Sequence, residues 1–146
     1  MELLLPCLYA ALSCIAFSLV FQLRNRCHIA CAALSGAAGW LVYLLLDGMG
    51  ITARFLMATI TIALLAEVFA RVFKTPATVF LIIGIIPLVP GGGIYYTMEA
   101  LINGNMAGFV HSGLTTVASA GAIAVGCSLV SSVTRIITAG RQKSKN

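Results

Sequence analysis

Charge is what this sequence has least of. Only 9% of its 146 residues are charged, and its carboxylates are Glu2, Asp47, Glu67 and Glu99. Soluble domains carry about 25% charged residues, so a water-facing globular shell is excluded. Histidine is nearly absent, with His28 and His111 alone. Neither stands in an H-E-x-x-H pattern, and there is no G-x-S-x-G elbow and no G-x-x-x-x-G-K-[ST] loop. Nothing here marks an enzyme, a cofactor or an ATP-binding element. The five cysteines, Cys7, Cys14, Cys27, Cys31 and Cys127, are odd in number and lie mostly inside apolar runs, where they read as free thiols used as small apolar residues. Cys27, His28 and Cys31 are close enough to raise a metal site, but a structural zinc needs four ligands and no second pair is visible. No metal is expected. Glu2 stands where a secretory signal would carry basic residues, and no small-x-small cleavage site precedes Arg24, so the first apolar run is expected to stay in the mature chain.

What is present is hydrophobic: 60% of the residues, with a mean hydropathy of +1.04. The expectation is an all-α, polytopic transmembrane bundle. The length leaves room for roughly five spans of ~20 residues and no soluble domain beside them. The net charge of +5 is gathered in small clusters between the apolar runs, as topology signals are, not spread into a surface for nucleic acid.

Five runs follow, forming a single domain over 1–146: 3–23, 29–46, 51–73, a broken run over 77–102, and 114–134, with a basic cytoplasmic tail over 135–146 whose polar end, Arg141 to Asn146, is expected to be loose. The second opens with Ala30, Ala32, Ala33, Ser35, Gly36, Ala37, Ala38 and Gly39, small residues that let helix backbones approach closely in lipid. Trp40 and Tyr43 follow one turn apart, for packing or interfacial anchoring. Arg54 lies near the start of the third run and is expected to snorkel outward. Residues 106–112 read either as an interfacial turn or as the start of the last span. In that last span, Ala118, Ala122 and Gly126 form a packing ridge.

The bases set an orientation. Arg24 and Arg26 follow the first run, Arg71 and Lys74 the third, and Arg135, Arg141, Lys143 and Lys145 the fifth. Five crossings with an external N-terminus place eight of the nine bases on the cytoplasmic side.

The fourth run carries the most chemistry. Pro87 and Pro90 each remove a helix hydrogen bond and free the carbonyls of Ile83 and Ile86. Gly91, Gly92 and Gly93 then make continued helix costly. In lipid, freed backbone groups persist only where protein or a water-filled cavity satisfies them. An unwound segment followed by a half-helix N-terminus is a recurring transporter device for binding ions and carboxylates. The candidate solute-binding residues are therefore Pro87, Pro90, Gly91, Gly92, Gly93, Tyr95, Tyr96 and Thr97. The alternative is a kinked helix that only packs. Glu67, with Arg71 four residues on and Lys74 beyond, is a candidate for coupling or gating, or else a juxtamembrane salt bridge. Thr115, Thr116, Ser119 and Ser128 either bond back to their own helix or line a pathway.

The segments A-R-V-F-K-T-P-A-T-V-F, Ala70 to Phe80, and G-I-I-P-L-V-P-G-G-G-I-Y, Gly84 to Tyr95, resemble the signature of the threonine/serine exporter family. More narrowly, the chain resembles the small membrane-only subunit of split exporters, whose two-component relatives are linked to succinate export. Arg71, Pro76, Pro87, Pro90, Gly91 and Tyr95 match directly. The resemblance implies a multi-pass bacterial inner-membrane subunit of a secondary exporter for small carboxylate-bearing solutes, threonine and serine first and dicarboxylates second. It also implies a larger membrane partner subunit of the same family. A homo-oligomer, or an assembly subunit that does not itself transport, are the alternatives.

Overall fold

The computed structural model describes residues 4–143, and side chains within residues 4–137. The readings that involve Glu2, Leu3, Lys145 and the side chains of Arg141 and Lys143 lie outside the described residues. Six helices follow in order: α1 Leu4–Val20, α2 Arg26–Leu45, α3 Ile51–Phe73, α4 Ala77–Ile85, α5 Gly91–Ile102 and α6 Met106–Lys143. A 3-10 turn, Ile86–Leu88, joins α4 toward α5. No strand occurs among the described residues. Helices α2, α3 and α6 are each long and apolar enough to cross a bilayer. Helix α4 with its 3-10 turn and α5 reach span length together, bent by 43°. Helix α1 is apolar over 17 residues, or about 26 Å, close to a hydrocarbon core of roughly 30 Å. The bundle thus carries about five crossings.

The helix ends differ from the run boundaries for local reasons. Helix α2 begins at Arg26 because the Asn25 side chain accepts from the Cys27 N–H at 3.0 Å, satisfying one of the orphan donors of a helix start. Asn105 does the same for α6, accepting from Gly108 N–H at 2.9 Å. Residues 106–112 are therefore the first turns of the last helix and not an interfacial turn. The backbone stays helical through Lys143, past the expected end of the run at Thr134. No proline follows Pro90 to interrupt it. Helix α1 stops at Val20 and not at Leu23. Gln22 turns left-handed (φ +57°), and Leu23 N–H returns to the Ser18 carbonyl at 3.0 Å. Lys74 (φ +53°) closes α3 the same way, with Thr75 N–H on Ala70 O, and Gly104 (φ +70°) closes α5, with Asn105 N–H on Ala100 O. All three are Schellman caps that satisfy end carbonyls.

Helix α3 is central, packed against α2, α4 and α6. Helix α1 covers α2, and α5 lies along α6. Lipid tails give apolar helices no reason to associate, so contact must come from close fit. Small residues supply that fit. Ala32, Ala33, Ser35, Gly36 and Gly39 are the buried positions of α2. Gly36 leaves room for the Cys14 sulfur of α1, and Gly39 for the side chain of Ile62 on α3. On its other side, Ile62 meets Gly84 of α4, where a Cβ would stand 2.7 Å from it. Ile62 is fully buried, so one side chain fills the space that glycines of two neighbouring helices leave open. On α6 the buried stripe is Ser119, Ala122, Gly126 and Val130. Ala118 is only half-buried, so the packing ridge turns slightly from its expected line.

Some sequence readings resolve into packing. His28 stands edge-on to Phe73 and Phe80, at centroid distances of 5.0 and 5.6 Å. Arg54 does not reach outward. Its side chain is only 15% exposed and pairs with Asp47. It lies over the Tyr43 ring at 4.3 Å, and its Nε–H donates to the Tyr43 carbonyl at 3.0 Å.

A candidate solute site at the broken helix

The break forms where the prolines dictate. Pro87 has no N–H to give the Ile83 carbonyl, and two other groups take that oxygen. Ile86 N–H reaches it within the tightened turn, and the Cys14 thiol donates to it from α1 at 3.3 Å. The Ile86 carbonyl, freed by Pro90, accepts from Val89 N–H at 3.3 Å. The backbone at the break is thus satisfied on its buried side by protein, as lipid requires. Helix α5 then starts at Gly91 with Pro90 at its N-cap and no side chain capping it. Gly91 N–H bonds to the Val89 carbonyl at 2.7 Å. The N–H groups of Gly92 and Gly93 have no partner among the described residues.

A cavity of about 430 Å³ lies against this start. Pro87, Pro90, Gly91, Gly92, Gly93 and Tyr96 line it, together with Leu88 and Val89. Tyr95 and Thr97 are not in its wall. Tyr95 is 64% exposed and meets Tyr96 edge-on at 5.5 Å. The Thr97 hydroxyl donates to the Gly93 carbonyl at 2.7 Å, and its methyl faces Gly113.

The opposite wall is built by residues far away in sequence. Helix α6 contributes His111, Ser112, Thr115, Thr116 and Ser119, and α2 and α3 contribute Trp40, Tyr43, Ile51 and Phe55. Trp40 stacks on Tyr43 at 5.3 Å, and Tyr43 leans on Phe55 at 5.0 Å. The Trp40 indole N–H is buried without a hydrogen-bond partner. The hydroxyls of α6 resolve the alternative left open by the sequence, because they do both things at once. Thr115, Thr116 and Ser119 donate to the carbonyls of His111, Ser112 and Thr115, at 2.8, 2.7 and 2.8 Å, and they also line the cavity. Each proton is spent on the helix, so each oxygen offers only lone pairs. Ser128 bonds to Ala124 O and is not in the wall of this cavity.

No charged side chain lines this cavity. Glu67, Arg71 and Lys74 belong to the far end of α3. Glu67 lies twelve residues beyond Phe55, or ~18 Å along the helix. A second, smaller cavity of about 310 Å³ lies toward that end, lined among others by Gln22, His28, Thr75, Thr78 and Ile83. Thus Ile83 faces one cavity and Pro87, four residues on, the other. Among the described residues no group of three or more His, Cys, Asp or Glu is arranged to hold a metal, and all five cysteines are free thiols.

Searches of curated proteins and of solved structures gave no match. The sequence model of a family described as Threonine/Serine exporter, ThrE, matches residues 6–133. That match covers every residue that lines the cavity and the break between α4 and α5. The chain is a multi-pass membrane protein and belongs to the threonine/serine exporter family.

Proposed function

We propose that the chain is the membrane subunit of a secondary exporter of threonine and serine, and that the cavity at the α4–α5 break holds the solute. The observation that carries this reading is the chemistry of the wall. At one side two glycine N–H groups without partners sit at a helix start, a place that favours a carboxylate. At the other, hydroxyl oxygens that only accept, beside the rings of Trp40 and Tyr96, suit an ammonium. A zwitterion satisfies both sides and adds no net charge. A dicarboxylate brings two negative charges to a wall without a cation, and unpaired charge in such a site is costly. The uncharged wall therefore favours the amino acid over succinate. No ATP-binding motif occurs in the sequence, so an ion gradient or facilitated efflux would drive transport.

The test is uptake into inside-out membrane vesicles from cells making the chain. L-Threonine and L-serine are expected to enter and compete with each other, and succinate to compete poorly. Succinate entry that threonine does not inhibit would overturn the assignment.

The partner and the topology belong to the same proposal. Helix α5 has no buried residue, and Tyr95, Met98 and Ile102 are exposed along it. A larger subunit of the same family fits against this side and closes the cavity. The N-terminus is placed outside and the C-terminus in the cytoplasm of a bacterial inner membrane, on the positive-inside pattern. Cys27 is exposed at the start of α2. In whole cells it is expected to resist a membrane-impermeant maleimide and to react once the cells are opened. Labelling in intact cells would reverse the topology.

A further inference from the structure

The smaller cavity lies where α1 and α3 stop and α2 and α4 start. Its polar wall is Gln22 in the turn after α1, His28 on the first turn of α2, and Thr75 and Thr78 at the α3–α4 corner. The Thr75 hydroxyl donates to the Phe73 carbonyl at 3.2 Å. The Gln22 amide, the His28 imidazole and the Thr78 hydroxyl have no hydrogen-bond partner among the described residues. In the larger cavity Thr115, Thr116 and Ser119 give their protons to their own helix. These three side chains keep donors to offer.

Positive charge surrounds this wall. Arg24 follows Leu23 of the wall, Arg26 opens α2 just before His28, and Lys74 precedes Thr75. All three are exposed and form no ion pair among the described residues. No carboxylate lines the cavity, and Glu67 lies about two turns back along α3. The N–H groups of Ala77 and Thr78, at the start of α4, add a lesser pull on negative charge. The ligand that fits is therefore an anion that accepts several hydrogen bonds. The rest of the wall selects its source. Phe21 and Ile82 line the cavity and are also exposed on the outside of the bundle. An opening between such side chains faces hydrocarbon, where a free aqueous anion gains nothing.

We propose that this cavity holds the phosphate headgroup of an anionic phospholipid, with the acyl chains lying against Phe21, Val79 and Ile82. Its volume of about 310 Å³ is at the lower end of the range of ligand sites, roughly 300–1,000 Å³, which suits a headgroup whose chains stay outside. Bases beside the ends of spans recognise anionic headgroups in this way, and the free donors of Gln22, His28 and Thr78 would bond the phosphate oxygens. The proposal goes beyond the solute reading and does not depend on it. Only the choice of leaflet, cytoplasmic in the topology proposed above, rests on that topology. Because the wall joins the end of α1 to the foot of α4, a bound headgroup ties the first helix to the broken span.

The test is titration of the purified full chain in detergent with dioleoyl phosphatidylglycerol, with retained lipid counted by native mass spectrometry. Dioleoyl phosphatidylcholine, sn-glycerol 3-phosphate and inorganic phosphate are the comparison arms. One phosphatidylglycerol per chain is expected to bind about tenfold more tightly than phosphatidylcholine and to raise the unfolding temperature, as a ligand of the folded state does. Arg24→Gln and Lys74→Gln are each expected to weaken it about fivefold. Arg135→Gln, a base of α6 that lines neither cavity, is expected to leave it unchanged. Thr78→Phe keeps every base but fills the cavity, and is expected to lose the preference between the two lipids. Thr78→Val removes only the hydroxyl, keeps the volume, and is expected to weaken phosphatidylglycerol a few-fold. The proposal is overturned by equal binding of the two lipids, by unchanged affinity in both Thr78 variants, or by an equal loss from Arg135→Gln and Lys74→Gln, which is general surface attraction. Glycerol 3-phosphate or inorganic phosphate that binds as tightly as the lipid and displaces it would also overturn it, and give the cavity to an aqueous anion. Binding is read here without transport, so each of these failures leaves the threonine assignment standing.

Discussion

Leucine in place of Gly92 is expected to abolish threonine transport while leaving the bundle folded. A Cβ built at Gly92 meets only the edge of Tyr96, at 3.9 Å, and nothing else within 4 Å. The new side chain therefore extends into the cavity and not into a neighbouring helix. It occupies the position where the solute carboxylate would meet the start of α5, and a displacement of about 1 Å in such a site already costs on the order of 100-fold. The measurement is threonine exchange at matched protein level, with thermal unfolding in detergent as the check on folding. Gly121→Leu is the control, since Gly121 is exposed on α6 and a Cβ there also meets nothing within 4 Å. Gly93→Ala separates a site effect from a packing effect, because its methyl would overlap Thr116 and disturb the α5–α6 contact as well. Near-normal exchange by a stable Gly92→Leu protein would remove the cavity from the transport path.

The largest loss of stability is expected at Gly39. A side chain there runs into Ile62, which is fully buried and cannot retreat, because Gly84 of α4 closes the space behind it. Overpacking of this kind costs about 1–3 kcal/mol, and Gly39→Leu is placed at the upper end of that range. The signature that identifies the cause is coupling. Ile62→Ala leaves a cavity and is destabilising alone, but combined with Gly39→Ala it makes room for the added methyl. The double variant is then more stable than the sum of the two single losses, by roughly 0.5–3 kcal/mol. Additive losses would show that Ile62 is not held between the two glycines.

Proline made the break legible in the sequence, because its missing N–H acts at a fixed distance along its own chain. The small residues of α2 were legible for a similar reason, since lipid leaves close fit as the main source of helix contact. The two helix starts at Asn25 and Asn105 were also readable, as asparagine is a strong N-cap, yet the hydropathy of the flanking residues drew the boundaries elsewhere. The opposite wall of the cavity was not readable. Trp40, Phe55 and His111 belong to three helices whose mutual rotation follows from the glycine contacts and not from any local pattern. Tyr95 and Tyr96 differ for the same reason. One residue turns a helix by 100°, so adjacent tyrosines cannot both face the cavity, and only the docking of α5 on α6 selects Tyr96. The four-residue spacing of Thr115 and Ser119, with Thr116 beside them, was the one usable trace of the far wall, and it reads equally well as self-bonding helix.

The thiol of Cys14 donates to the carbonyl of Ile83 across 69 positions of chain, and this gives the order of synthesis a structural meaning. Ile83 has two lone pairs. The turn that follows it fills one, and only α1 supplies a donor for the other. A broken span that enters the bilayer by itself brings that second lone pair into hydrocarbon with no partner. In the natural chain the donor is made first and already stands in the membrane when the ribosome releases α4. The first helix is in this sense the template on which the fourth is allowed to break. A permuted chain carrying α1 last would have to insert its defect before the cap for it existed.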